Sequence, residues 1–166
     1  MKYLLFILMF SFFFGCTNPF APKFDEGSGD PTSTITDLTT IEGVFQNFQY
    51  AYTFKDTLIY GEFIANDFVF TYRDYENAVD VSWGREEEMI ATFNLFANTQ
   101  RLDLIWNNIV LSSVDSTEAN IVRGFNLTVT LNPTDIQRAD GRVDISLRKN
   151  EKGKWQITRW IDRSNF

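Results

Sequence analysis

Apolar and polar residues alternate with helical spacing in the stretch that begins at residue 38. Apolar side chains recur every three or four positions there, at Ile41, Val44, Phe45, Phe48 and Tyr52. That spacing places all five on one face of an α-helix. Thr39 followed by Glu42 is typical of a capping box at a helix start. We therefore predict a first helix over residues 38–54 that buries an aromatic-rich face.

Two further helices and a short strand are predicted before residue 100. A second helix over 56–64 would turn Ile59 and Phe63 inward, and the aromatic run at 68–72 favours a strand. The charged stretch 73–81 is predicted to be irregular. Ser82 is a candidate N-cap for a third helix. The residues of that helix expected to face inward are Met89, Ile90, Phe93 and Phe96.

The hydrophobic period changes from about 3.6 to 2 after residue 101, as strands require. Four strands are predicted, at 102–114, 118–131, 141–149 and 154–162. The polar segment 133–140 is predicted to be a loop, and 150–153 a hairpin turn. Three helices and an antiparallel sheet predict an α+β fold in which the N-terminal helices pack on the sheet.

The N-terminal end of the chain has the pattern of an export signal. Lys2 precedes an almost unbroken apolar run over 3–14, which ends at Gly15 and Cys16. This run is shorter than the ~20 apolar residues that a membrane-spanning helix needs. The segment FFGC at 13–16 resembles the lipobox of bacterial lipoproteins, in which the cysteine is lipidated and becomes the first residue of the mature chain. We therefore expect residues 1–15 to be a signal peptide and Cys16 to carry lipid.

Residues 16–37 are expected to form a flexible tether between that lipid and the folded domain. The segment contains three of the four prolines of the chain and a Gly-Ser-Gly step, which disfavour regular structure. Two or more acyl chains attach a protein firmly to a membrane. Because Thr17 rather than Asp follows Cys16, the resemblance to lipoproteins implies the bacterial cell envelope, at the outer membrane.

Composition and charge exclude several classes of function. Hydrophobic residues make up 44% of the 166 residues, which is typical of one folded domain and not of a disordered chain. The net charge of -7 would repel phosphates, so no nucleic-acid partner is expected. With no histidine and one cysteine, the sequence excludes a Ser-His-Asp triad, a His-ligated metal and an internal disulfide. We expect neither a metal nor a cofactor.

The order of the predicted elements and three local motifs resemble the NTF2-like, or SnoaL-like, superfamily. The motifs are AND at 65–67, WGREEEMI at 83–90 and GKWQITRWIDR at 153–163, and the resemblance extends over residues 38–166. It implies a cone in which a strongly curved antiparallel sheet wraps the first helix and leaves a cavity open at one end. It also implies a homodimer through the outer face of the sheet. Because this fold hosts enzymes, ligand binders and interaction domains, it does not by itself imply a reaction.

Six residues are candidates for the lining of that cavity: Tyr52, Trp83, Trp106, Arg123, Arg159 and Asp162. Arg123 stands alone in an apolar row over 121–131, and a buried arginine needs a partner. Two alternatives stay open, namely a surface position for Arg123 or a buried pair with Asp162. A bulge near Trp160 would decide whether Arg159 or Asp162 points inward.

The catalytic residues that the resemblance implies for three enzyme branches do not recur here. The ketosteroid-isomerase-like branch would require an Asp within 70–72, and the limonene-epoxide-hydrolase-like branch an Asp at the position of Phe125. The scytalone-dehydratase-like branch requires histidine. Asp67 remains an alternative general base if the fold desolvates it. We therefore predict no catalytic residue.

The preferred hypothesis is a lipid-anchored, non-catalytic domain of the cell envelope. Its cavity or surface would bind a small apolar or acidic ligand or a partner protein. One alternative is a carboxylate-based lyase, isomerase or hydrolase that uses Asp162 with Arg123. The other is a structural component of an envelope complex.

The substitution Cys16→Ser tests the predicted anchor. We expect the variant to leave the membrane fraction, because it removes the only thiol that could carry acyl chains. Cell fractionation and mass spectrometry of the N-terminal peptide measure this. An unchanged membrane fraction, with the peptide 1–15 still attached, would contradict the prediction.

Overall fold

The computed structural model describes residues 36–164. The predicted signal peptide, Cys16 and the predicted tether up to residue 35 lie outside the described residues. Leu38 is buried, and its carbonyl accepts a hydrogen bond of 2.8 Å from the Trp155 amide. No helix in the described part of the chain is long and apolar enough to cross a membrane.

Three helices form where the apolar spacing predicts them, with shifted starts. They are α1 (Ile41–Phe54), α2 (Thr57–Glu62) and α3 (Arg85–Asn98). The N-cap of α1 is Thr40, whose hydroxyl accepts a hydrogen bond from the Gly43 amide, so the predicted capping box at Thr39 is wrong. The Thr39 hydroxyl donates a hydrogen bond to Asp37 instead. The Glu42 carboxylate accepts a hydrogen bond from Arg123 of the sheet.

Six strands form one curved sheet in the order β2-β1-β6-β5-β4-β3. Neighbouring strands are antiparallel except β1 and β6, which run parallel. The strands are β1 (Ile64–Asp74), β2 (Val79–Gly84), β3 (Arg101–Val114), β4 (Glu118–Asn132), β5 (Asp135–Lys149) and β6 (Trp155–Ser164). The predicted α+β plan, with helices packed on a curved sheet, is confirmed, whereas a wholly antiparallel sheet is wrong.

Two segments predicted to lack strands are paired in the sheet. Val79–Gly84 forms the edge strand β2, so α3 begins at Arg85 with Gly84 as its N-cap, and Ser82 is not a cap. A short turn at Pro133 and Thr134 joins β4 to β5, so residues 135–140 form the first part of β5. Most side chains of both segments are exposed, so their strand pairing depends on backbone hydrogen bonds that hydrophobic periodicity does not report.

The inward face of α3 differs from the predicted one. Its buried residues are Glu88, Thr92 and Phe96, spaced four apart, whereas the predicted inward residues Ile90 and Phe93 are 56% and 59% exposed. The polar side chains face inward because partners on neighbouring elements satisfy their hydrogen bonds. Glu88 accepts from Tyr60 on α2 and from Trp83 on β2.

A bulge in β6 sets which side chains of that strand face the helices. Ile157 pairs with Leu147 of β5 and Arg159 pairs with the adjacent Ser146, so Thr158 is the extra residue. Two residues on one strand oppose one on the other at such a bulge, and the alternation of faces is then shifted by one. Trp160 and Asp162 consequently follow Trp155 and Ile157 on the inner face, and Arg159 is exposed.

The core is a cluster of aromatic rings centred on Phe48 of α1. Phe48 is 1% exposed and its ring lies 5.0 to 5.5 Å from five other rings. These rings belong to Tyr52, Tyr60, Phe63, Trp106 and Trp160. The single side chain thus joins both N-terminal helices to two distant strands of the sheet.

Strand β3 lies at the other edge of the sheet and exposes apolar side chains. Among them are Ile105, Val110, Leu111 and Val114. Exposed apolar side chains on an edge strand favour pairing with another chain. The homodimer through the outer face of the sheet stays a prediction.

Phe48→Ala should lower the free energy of unfolding by about 3 to 5 kcal/mol, because it removes a ring from the middle of a packed cluster. Urea denaturation of the purified protein measures the change. The matched control is Phe93→Ala on the exposed face of α3, which should change stability by no more than about 0.5 kcal/mol. Equal effects of the two substitutions would contradict the role of Phe48.

Candidate functional site

The inner face of the sheet and the helices α1 and α3 enclose a cavity of about 350 Å³. Its walls are mainly aromatic and aliphatic, and seven aromatic residues line it. They are Phe48, Tyr52, Phe70, Trp83, Trp106, Phe125 and Trp160. Exposed or half-buried residues of α3 and of the β4–β5 hairpin, such as Ala91 and Gln137, lie at its mouth. The volume is at the lower end of the ~300 to 1,000 Å³ of typical ligand pockets.

Glu88 is the most buried carboxylate on the cavity wall, at 5% exposure. One oxygen accepts hydrogen bonds from the Tyr60 hydroxyl at 2.7 Å and from the Thr92 hydroxyl at 3.1 Å. The other accepts from the indole N–H of Trp83 at 2.7 Å. All three hydrogen-bond donors to the Glu88 carboxylate are therefore uncharged groups.

Asp162 is the second carboxylate on the wall, and the bulge in β6 turns it inward. Among the described residues, its hydrogen bonds come from Ser164, from the amide at 2.9 Å and the hydroxyl at 3.3 Å. Burial raises the pKa of Asp162 above its usual value, and the two hydrogen bonds from Ser164 offset part of this rise. Asp162 thus has capacity to accept further hydrogen bonds from a molecule in the cavity.

Tyr52 lines the cavity from α1 and is 7% exposed. Its hydroxyl makes no hydrogen bond to any residue in the part of the chain that the structure describes. Burial, followed by the charges of Glu88 and Asp162, raises the pKa of Tyr52, so the hydroxyl stays neutral. A neutral hydroxyl can both donate and accept a hydrogen bond.

Three tryptophans line the cavity and differ in the state of their indole N–H groups. Trp83 donates to Glu88, and Trp106 donates to the carbonyl of Phe45 at 3.0 Å. Within residues 36–164, the buried N–H of Trp160 has no acceptor. The predicted cavity positions of Tyr52, Trp83, Trp106 and Asp162 agree with the structure, and their contact with a ligand stays a prediction.

Arg123 lies beside the cavity and does not pair with Asp162. Its side chain is 12% exposed and pairs with Glu42 at 3.1 Å, while its Nε donates to the Asn107 carbonyl. The guanidinium also lies over the rings of Phe45 and Trp106, at 4.6 and 5.8 Å from their centres. Val143 of β5 stands between Arg123 and Asp162 in the sheet, so their backbones are two strand spacings, about 10 Å, apart.

The other two charged candidates lie outside the cavity. Arg159 is exposed on the opposite face of the sheet, beside Asn120 and Ser146, so of the two alternatives left open by the sequence it is Asp162 that faces the cavity. Asp67 is 60% exposed and forms a salt bridge with Arg148 at 2.8 Å. The hydrogen bond from Arg148 lowers the pKa of Asp67, which makes it a poor general base.

The sequence analysis missed Glu88, the residue that organises the polar end of the cavity. Three consecutive glutamates, 86–88, precede the apolar part of α3, and acidic residues are common in a first helical turn for electrostatic reasons. The sequence feature that could have identified Glu88 is its spacing, because Glu88 lies four and eight residues before Thr92 and Phe96, which also face inward. This spacing can be interpreted only once the inward face of the helix is known.

The wall offers carboxylates and hydroxyls but no positive charge. None of the described residues that line the cavity is a lysine or an arginine. Within residues 36–164, no three acidic, histidine or cysteine side chains lie close enough to hold a metal ion. The chemistry available to a bound molecule is hydrogen bonding to Asp162 and Tyr52, and proton transfer to a partly desolvated carboxylate.

Solved structures of other proteins share this fold. A conserved protein from Planctomyces limnophilus DSM 3776 aligns with a TM-score of 0.67 at 16% identity, over 75% of this chain and 92% of that one. A candidate scytalone dehydratase from Novosphingobium aromaticivorans DSM 12444 aligns with a TM-score of 0.65 at 16% identity, over 76% and 82%. The hexachlorocyclohexane dehydrochlorinase LinA-type3 from Novosphingobium barchaimii LL02 aligns with a TM-score of 0.60 at 10% identity, over 76% and 84%.

These likenesses establish the fold and leave the activity open. The domain has the SnoaL-like, or NTF2-like, fold that the sequence motifs implied. No protein-family model matches the chain. No curated protein matches it in sequence.

Asp162→Asn should raise the stability of the protein at pH 7, by about 0.5 kcal/mol or more, because it removes a partly buried charge and keeps the contact with Ser164. The folded state binds the Asp162 proton more tightly than the unfolded state does. The charged form therefore lowers stability at pH values above the raised folded pKa. The gain should shrink as the pH falls through that pKa toward the unfolded value of ~4, and it should be absent below ~4.

Urea denaturation at pH 7 and at lower pH measures this difference. The control is Asp80→Asn, which removes an exposed carboxylate paired with Arg73 and should give no gain. An Asp162→Asn variant that is less stable than the wild type at pH 7 would contradict the prediction.

Proposed function

We propose that this domain binds a small, mainly apolar molecule inside its cavity. The observation that carries the proposal is the cavity itself, about 350 Å³ in volume, with seven aromatic residues and a few polar groups on its wall. Protein interiors are normally packed as densely as organic crystals. A cavity of this size in a small domain, with polar groups converging on one end, is typical of a ligand site.

The polar groups suit a ligand with one hydrogen-bonding end. Glu88 and Thr92 of α3, Asp162 of β6 and Tyr52 of α1 line the same cavity. The opposite wall is formed by side chains such as Leu104, Phe125 and Val129. The expected acidic ligand finds no support, because no lysine or arginine lines the described cavity and two carboxylates do.

Ligand entry can be followed through the four indole N–H signals of the protein in nitrogen–proton NMR spectra. Trp83, Trp106 and Trp160 line the cavity, and Trp155 does not. The neutral two-ring compound 2-ethylnaphthalene should shift the first three signals and leave the fourth in place. Shifts confined to Trp155, or no shifts at all, would contradict the proposal.

Two substitutions on α3 give a matched control for this experiment. Ala91→Phe places a ring at the mouth of the cavity and should weaken binding at least tenfold by filling the entrance. Ala97→Phe makes the same change at an exposed position of the same helix that does not line the cavity. It should leave binding unchanged. Equal affinities in the two variants would mean that the ligand binds elsewhere.

A second candidate function is an elimination or isomerisation in which Asp162 acts as general base. The raised pKa of this carboxylate favours it, because a base works best when its pKa approaches the working pH. A dehydrochlorinase is among the proteins of similar structure. Tyr52, close enough for the charge of Asp162 to affect its pKa, could hold the substrate by its hydroxyl.

A panel of apolar cyclic substrates with a hydroxyl or chloride leaving group separates the two functions. Release of water or chloride by the wild type, lost in Asp162→Asn while ligand binding is retained, would establish the elimination. Binding without turnover in the wild type would leave the domain a binding protein.

The same proposal includes attachment to the cell envelope through Cys16. The lipobox-like segment and the proline-containing stretch after it support this part. A domain held near a membrane by a tether would meet apolar molecules that partition into the lipid. A role as a structural component of an envelope complex remains the alternative.

A further inference from the structure

We infer that the preferred occupant of the cavity is an apolar amine in its protonated form, with its ammonium group at Asp162. This inference rests on the proposed binding function and names the chemistry of the ligand. Its basis is the charge balance of the cavity together with the unused hydrogen-bonding groups on the wall.

The cavity has a negative charge that the described protein does not neutralise from within. Glu88 and Asp162 both line it, and none of its described lining residues is basic. The two arginines that could have supplied a positive charge are engaged or located elsewhere. Arg123 pairs with Glu42, and Arg159 lies on the opposite face of the sheet. A carboxylate out of water without a cation is unfavourable, so a cationic ligand would relieve this cost.

The two carboxylates differ in their capacity for a ligand. Glu88 already accepts three hydrogen bonds, from Tyr60, Thr92 and Trp83. Among the described residues, Asp162 accepts two hydrogen bonds, both from Ser164, two residues further along the chain. A carboxylate has about four acceptor positions, so Asp162 retains room for an N–H donor. Asp162 is therefore the residue at which an ammonium group would bind.

Tyr52 of α1 supplies a second acceptor in the cavity. The residue is 7% exposed, and its hydroxyl has no hydrogen-bond partner among the described residues. A ligand group in the cavity can therefore bond to this hydroxyl. An ammonium group has several N–H donors and can bond to Asp162 and Tyr52 together.

The aromatic walls favour a cation as well as an apolar body. Aromatic faces attract a cation within about 6 Å. This domain already places cations over rings from outside the cavity, with Arg123 over Trp106 and Lys149 over Trp155. The described residues that line the cavity include seven aromatic residues and no basic side chain. The rest of an apolar amine would bury its rings or alkyl groups against them.

Three ligands of nearly equal shape test the inference in the purified protein. They are 2-naphthylmethylamine, which is protonated at pH 7, the neutral 2-ethylnaphthalene and the anionic 2-naphthoate. The indole signals of Trp83, Trp106 and Trp160 report binding in the cavity, and calorimetry gives the affinities. The amine should bind at least tenfold more tightly than the neutral compound, and the anion should bind most weakly.

Asp162→Asn identifies the group responsible for this preference. The variant keeps the shape of the side chain and should bring the amine and the neutral compound to within about threefold of each other. Asp80→Asn, at an exposed position outside the cavity, should preserve the full preference in the same ionic strength. The comparison separates a contact at Asp162 from general attraction to an acidic protein.

The outcomes distinguish failure of this inference from failure of the proposed function. Binding of 2-ethylnaphthalene that equals or exceeds binding of the amine would overturn the inference and leave the binding function intact. A preference that persists in Asp162→Asn would also overturn it. Absence of any shift of the three cavity tryptophans with all three ligands would overturn both.

Discussion

The position of Phe48 inside the curved sheet is the contact on which the rest of this domain depends. Its ring touches rings from both N-terminal helices and from β3 and β6, which are far apart in the sheet order. The cavity lies between α1, α3 and the inner face of the sheet. The same ring contributes to the core and to the cavity wall, so stability and ligand access are linked at one residue.

The polar chemistry of the cavity depends on two local features of the backbone. The bulge at Thr158 shifts the alternation of β6, so that Asp162 faces inward and Arg159 faces outward. The paired strand β2 delays the start of α3 to Arg85, and Glu88 then faces Tyr60 and Trp83. Loss of the bulge would remove Asp162 from the cavity wall, and an earlier start of α3 would remove Glu88. The bulge also turns Arg159 away from the cavity, and Arg123 is held by Glu42 of α1.

This arrangement explains why a fold shared with enzymes does not by itself assign an activity here. The dehydrochlorinase and the candidate dehydratase share the fold of this domain at 10% and 16% identity, and a likeness at that level shows the fold alone. Shape supplies an apolar cavity, and the few polar side chains on its wall decide what binds and what reacts. In this domain the polar groups on the wall include two carboxylates and the Tyr52 hydroxyl. We infer that they favour a ligand with a positive charge and hydrogen-bond donors.

The sequence alone determined the α+β class, the three helices and most of the sheet, and it proposed Tyr52, Trp83 and Trp106, which line the cavity, because hydrophobic periods report which side of an element is buried. It could not predict β2 or the first part of β5, whose side chains are mostly exposed and whose pairing depends on the backbone. It also left open the direction of Asp162 and missed Glu88, since a one-residue bulge and a rotation of a helix change which side chains meet without changing the pattern. The pairing of Arg123 with Glu42 joins positions 81 residues apart in the chain. Only the tertiary structure decides such contacts, because they depend on distances between elements that no local sequence pattern encodes.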